Sequence, residues 1–194
     1  MARNLVGKRV AILATDGVEE IELTEPRKAL DAAGAQTKIV SPKADKVRGW
    51  KHVEWGDEMK VDTPLANARP EDFDALLLPG GVINPDKLRM EPKAVQFVKD
   101  FARTGRTIAA ICHGPWTLIE AGLVRGKKMT SWPSLKTDLK NAGANWVDEP
   151  VVKDGNLVTS RKPDDIDTFS RAIMDSVVPI GEAEPQAKGG VVAK

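Results

Sequence analysis

The only cysteine of this 194-residue chain, Cys112, is followed directly by a histidine in "TIAAICHGPW" (107–116). A thiol beside an imidazole can do nucleophilic chemistry. The imidazole takes the proton and the sulfur attacks a carbonyl carbon. The same thiol could be an inert hydrophobe, because free cysteine is among the most buried residue types. Three local features favour the nucleophile. Cys112 comes at the carboxyl end of an apolar run, where α/β active sites gather. It directly precedes a helical pattern, whose first N–H groups favour a thiolate. A sharp strand-to-helix turn would bring Cys112 and His113 to one side, as in a nucleophile elbow. On a continuous strand the two side chains would point opposite ways.

A frame of strands and helices must hold that turn. "KRVAILA" (8–14), "DALLLPGG" (74–81) and "TIAAIC" (107–112) predict buried strands. "TDGVEEIEL" begins as an acidic loop, and the pattern then turns helical from Pro26 to Ala33, closed by Gly34. "QTKIVS" (36–41) is the next strand, completing a right-handed crossover. Residues 46–68 predict a hairpin or short extended pieces around Gly49 and Gly56. Helices are expected over 92–105, over "PWTLIEAGL", over 133–143 and over 163–177, with a strand over 127–132. Residues 151–161 predict two short strands around an Asp-Gly turn. Strands alternating with helices indicate an α/β sandwich with a mainly parallel central sheet.

The totals narrow the class of function. Lys+Arg 29 against Asp+Glu 28 leaves a net charge of +1 and no strong nucleic-acid signal. No apolar run approaches the roughly 20 residues that cross a bilayer. The first residues lack the apolar core of a signal peptide, and one cysteine makes no internal disulfide, so a cytoplasmic protein is expected. With no second cysteine and two histidines, His52 and His113, no structural zinc is expected. No cofactor site is evident. Residues 1–178 read as one domain, and 179–194, without periodicity, as a loose tail.

"AAICHGPWTLIEAGLVRGKKMTSWP", with "FDALLLPGG" before it and "NAGANWVDEPVVKDGNLVTSRKPDD" after it, closely resembles the PfpI family. These are intracellular peptidase-like and deglycase-like stress proteins of the glutamine-amidotransferase-like superfamily. The resemblance covers nearly the whole chain, from Lys8 to Val177. It implies a flavodoxin-like three-layer α/β sandwich. It implies Cys112 as the nucleophile and His113 as its general base. It implies the His113 backbone N–H and that of Gly81 as oxyanion-hole donors. From "DGVEEIEL" it implies Glu19 as a protonated acid against the sulfur, with Glu20 and Glu22 as the alternatives. It implies that Asp86 orients His113 across the interface of a homo-oligomer, a dimer or hexamer. Trp116 and Trp132 follow positions that face the pocket in the family, so substrate contact or packing is expected of them.

Three functions stay open on these residues. The first is a cofactor-free glyoxalase or deglycase in which Cys112 adds to an α-oxoaldehyde as a hemithioacetal. The second is a cysteine peptidase using the same site on a peptide. The third is a redox-sensing stress protein or chaperone whose thiol oxidises. A narrow, tryptophan-bearing pocket favours the small carbonyl substrate.

Overall fold

Apolar runs of four or five residues are too short to make a buried helix, and they suit strands covered on both faces. The first is strand β1 (Arg9–Leu13). A two-residue strand, β2 (Val18–Glu19), leads straight into helix α1 (Glu20–Ala32). The sequence places this helix start at Pro26, and the structure places it at Glu20. Glu20 and Glu22 occupy its first turn, where carboxyl groups oppose the positive end of the helix dipole. Pro26 is buried inside the helix rather than opening it, so one internal hydrogen bond is missing there.

Strand β3 (Gln36–Ser41) follows, then the antiparallel pair β4 (Lys46–Lys51) and β5 (Glu54–Lys60), and the short β6 (Thr63–Pro64). Strand β7 (Ala75–Leu78) precedes helices α2 (Ile83–Met90) and α3 (Pro92–Arg103). Strand β8 (Thr107–Ile111) precedes the short helix α4 (Pro115–Glu120). The chain closes with β9 (Lys128–Met129), α5 (Lys136–Asn141), β10 (Asn145–Trp146), β11 (Val151–Asp154), β12 (Leu157–Ser160) and α6 (Ile166–Val177). The strand expected over 127–132 shrinks to β9, which pairs with β10 outside the central sheet. Beyond β9 the backbone bonds elsewhere. Thr130 N–H donates to the Thr159 hydroxyl at 3.0 Å, and Trp132 N–H to the Cys112 carbonyl at 2.9 Å.

The computed structural model describes residues 4–177, so the tail expected over 179–194 lies outside the described residues. Its seven-stranded sheet runs β11-β12-β8-β7-β1-β3-β6 and is parallel except where β11 meets β12. Because side chains alternate along a strand, β7 feeds both faces. Leu76 and Leu78 join Phe101 and Leu118 on one side, and Ala75 and Leu77 join Leu30 and Phe169 on the other. The result is the expected flavodoxin-like three-layer α/β sandwich. The carboxyl ends of β1, β7 and β8, neighbours in the sheet, deliver three loops to one edge. The hairpin of β4 and β5 hangs beside that edge, because β2 pairs with β4. Among the described residues no helix is long and apolar enough to cross a membrane.

Candidate active site

The turn after β8 is as sharp as the sequence requires. Cys112 has φ 60°, one of two non-glycine residues with positive φ among those described. A left-handed backbone costs a residue with a Cβ roughly 1–2 kcal/mol, so the surroundings must impose it. They do so through hydrogen bonds. Cys112 N–H donates to the Ser160 carbonyl at 3.1 Å, and Gly114 N–H to the Ile111 carbonyl at 2.8 Å. Adjacent side chains thereby face each other, and Cys112 Sγ lies 3.2 Å from His113 Nδ1.

The acid beside the thiol is Glu22 and not Glu19. Glu22 is fully buried, its Oε2 accepts the Gly80 N–H at 2.9 Å, and its carboxyl is a hydrogen-bond partner of the Cys112 thiol. Its Oε1 has no hydrogen-bond partner among the described residues. The three acids of "EEIE" are sorted by where the chain passes from strand to helix. Glu19 still belongs to β2 and meets His52, with its Oε1 3.5 Å from His52 Nδ1. Glu20 accepts the Asp57 N–H at 2.7 Å and pairs with Lys51. Glu22 shares the inward face of α1 with Leu23, Pro26 and Leu30. Sequence alone leaves this register open, because all three are the same or similar distance from the thiol in chain terms.

The electrostatics follow from burial. Loss of solvent pushes the Glu22 carboxyl up to about 8, so it keeps its proton at neutral pH. Burial also pushes the Cys112 thiol up, and a charged Glu22 would push it further. The N–H groups of Gly81 and His113 both reach the sulfur and pull the other way. The thiolate is therefore tolerated only while Glu22 stays protonated and can donate to it. Burial drives His113 down to about 4, which leaves its imidazole neutral and able to accept a proton.

Both glycines after β7 are required, each for its own reason. Gly81 has φ 78°, and a Cβ there would lie 2.6 Å from the Gly17 carbonyl oxygen and 2.7 Å from Glu19 N. Gly80, which sequence reasoning passed over, lets Glu22, Cys112 and His113 close in on it. The pair is pinned by Asn84, also unforeseen. This fully buried amide accepts the Thr15 N–H at 2.8 Å and donates to the carbonyls of Pro79 at 3.0 Å and Gly80 at 3.3 Å. Asn84→Ala should leave the Thr15 N–H unpaired and cost roughly 1–3 kcal/mol, read as a lowered denaturation midpoint with an unchanged slope.

The remaining expected residues divide. Trp132 lines the Cys112 cavity, with its ring 6.1 Å from that of His113. Trp116 does not line it. Trp116 packs edge-on to His113 at 5.1 Å, donates its Nε1–H to Asp138 at 2.9 Å, and carries the Arg89 guanidinium 5.5 Å above its ring. It braces the imidazole from behind. Asp86 does not meet His113 within the chain, and it faces a separate cavity beside Arg89, Trp116 and Asp138. The group near His113 Nε2 is instead the Ser134 hydroxyl, at 3.4 Å. The cavity over Cys112 measures about 780 Å³, and its mouth includes Trp50 and His52 of the hairpin. No periodicity or spacing ties that hairpin to the elbow, so both residues were invisible from the sequence.

A model of the DJ-1/PfpI family matches residues 8–176. A relative from Bacillus subtilis, named "Putative cysteine protease YraA", is 42% identical over 166 residues, spanning 86% of this chain and 96% of that protein. Among solved structures, Drosophila melanogaster DJ-1beta superposes with a TM-score of 0.79 at 31% identity, covering 88% of this chain and 90% of its own. A two-domain protein from Anabaena variabilis, with DJ-1/ThiJ/PfpI-like and ferritin-like domains, superposes with a TM-score of 0.81 at 38% identity. The match covers 87% of this chain and 47% of that one.

Proposed function

The chain belongs to the DJ-1/PfpI family, and on that footing we propose that it is a cofactor-free, cysteine-dependent enzyme acting on α-oxoaldehydes or their protein adducts. The observation that carries this reading is the setting of Cys112. The thiol is only 6% exposed, at the floor of a cavity walled by Trp132, Trp50, Ile83 and other apolar groups. A small aldehyde fits such a floor better than a folded-out peptide backbone.

The chemistry follows from the distances. As Cys112 Sγ adds to the aldehyde carbon, its proton passes to His113 Nδ1. The carbonyl oxygen gains charge near the N–H groups of Gly81 and His113, then takes that proton to give a hemithioacetal. Two such donors supply about 2.7–4 kcal/mol each. His113 next carries the proton of the hemithioacetal carbon to the neighbouring carbonyl carbon, while the hydroxyl proton on the first carbon passes to the oxygen of the second, giving a 2-hydroxyacyl thioester. Water cleaves that thioester to a 2-hydroxy acid and free Cys112.

The name of the Bacillus relative favours a second reading, a cysteine peptidase on the same site. Against it stands the setting of Cys112, 6% exposed at the floor of a cavity walled by Trp132 and Trp50, which leaves little room for a peptide backbone. As part of the same proposal, the enzyme works in the cytoplasm and Asp86 acts across an interface between two copies. A strictly monomeric, fully active protein would exclude that assembly.

The test is turnover of methylglyoxal and of peptides by the protein and by Cys112→Ala. Cysteine-dependent conversion of methylglyoxal to lactate is expected, with peptides left intact. Peptide cleavage alone would install the second reading. No cysteine-dependent turnover of either would exclude both enzymes and favour a redox-sensing role.

A further inference from the structure

The mouth of the Cys112 cavity carries a second acid–base pair that the steps above leave idle. His52 stands at the turn between β4 and β5, and Glu19 at the end of β2. Both line the cavity whose floor is Cys112. Glu19 is 8% exposed, whereas the His52 side chain is 73% exposed. A sheltered carboxyl group 3.5 Å from Nδ1 holds a solvent-reaching imidazole by one nitrogen and leaves Nε2 for water.

The hairpin is built to keep the imidazole there. His52 has φ 56°, a conformation that turns more often fill with glycine or asparagine. The Trp50 Nε1–H donates to the His52 carbonyl at 2.9 Å, and the Trp50 ring meets Trp55 edge-on at 5.3 Å. Glu19 pairs with Trp50 across the β2–β4 ladder, so the acid and the turn belong to one small sheet. Glu20 ties down the far strand through the Asp57 N–H.

We propose that His52, positioned by Glu19, is the base that activates water to release the acyl group from Cys112. The inference rests on the reading that Cys112 forms a thioester. A water proton passes to His52 Nε2 as the water oxygen bonds to the thioester carbonyl carbon. The tetrahedral adduct collapses, the C–S bond breaks, and Cys112 leaves as the thiolate. The carboxylic acid departs, and the imidazolium proton returns through solvent to the sulfur. Two bases divide the work by position: His113 lies against the sulfur, and His52 lies at the solvent-exposed end of the same cavity.

The experiment uses p-nitrophenyl acetate as an acyl donor. The nitrophenolate burst reads acylation, and the mass of the intact protein reads loss of acetyl from Cys112. His52→Gln should leave the burst unchanged and slow the loss about 100-fold, within the range general-base catalysis supplies. Glu19→Gln should act in the same direction more weakly, with Glu19→Asp partly restoring the rate. The solvent deuterium effect on deacylation should vanish in His52→Gln, which a purely structural role of the turn would not produce. Deacylation of His52→Gln at the unaltered rate overturns the inference and leaves the thioester reading standing. Failure of Cys112 to take up acetyl refutes the acyl-enzyme itself, and with it the role of His52.

Discussion

Replacing Glu22 by alanine is expected to slow alkylation of Cys112 by iodoacetamide about 10- to 100-fold at pH 7, while glutamine should hold it within a few-fold. Burial holds Cys112 as a thiol, so the thiolate that reacts depends on a hydrogen bond from the protonated carboxyl, and a hydrogen bond to a charged group is worth about 1.5–3 kcal/mol. Alanine removes that donor. Glutamine keeps it, because its oxygen can take the Gly80 N–H and turn the amide nitrogen toward the sulfur. Stability should move differently. The carboxyl releases its proton at about 8 in the fold against an ordinary 4.5, so between these values the folded chain holds a proton that the unfolded chain has lost. Stability then falls as pH rises, by at most about 1.4 kcal/mol per pH unit. Glutamine has nothing to ionise. The melting temperature of Glu22→Gln should therefore pull ahead of the parent from pH 5 to pH 8, with no further gain above. A gap that is constant with pH would show that Glu22 ionises freely. Alanine with the parent's alkylation rate would remove Glu22 from the site.

Gly80→Ala should be as damaging as any change outside the cysteine. Its backbone is not left-handed, so the cost is purely steric. The new Cβ would lie 2.5 Å from Glu22 Oε2, 2.8 Å from Cys112 Cβ and 2.9 Å from His113 N. Two of those three are held by the elbow backbone and cannot swing aside. Overpacking of this kind costs about 1–3 kcal/mol, and here it also separates the acid from the thiol. Cys112 alkylation should fall by at least the amount Glu22→Ala loses, and the denaturation midpoint should drop. Gly105→Ala is the control: its φ is 72°, yet a Cβ there meets nothing within 4 Å. It should cost only the left-handed strain, about 1–2 kcal/mol, with alkylation unchanged. Equal alkylation in both variants would mean that the crowding at Gly80 relaxes away.

The elements were legible wherever a few neighbouring residues decide the outcome. The apolar runs at 9–13, 75–78 and 107–111 are strands because no other packing buries them. Gly34 and Gly105, with φ 95° and 72°, lie just past the ends of α1 and α3, where a left-handed residue is needed. Helix α1 starts six residues before the point its local pattern indicates, because Pro26 is a strong local signal for a first turn. Tertiary burial of Glu22, Leu23 and Pro26 on one face overrode that signal.

The sequence by itself determined the sheet, the elbow and the juxtaposition of Cys112 with His113, because a strand, a tight turn and a helix are specified over about a dozen consecutive residues. Only the tertiary structure decided which acid meets the sulfur, that Ser134 and not Asp86 lies at His113 within the chain, and that Trp116 braces the imidazole while Trp132 walls the cavity. It alone brought His52 to the mouth. Each of these depends on how one element is rotated and docked against another far away in sequence. That is set by the packing of whole faces, to which Glu19, Glu20 and Glu22 contribute nearly identical local signals.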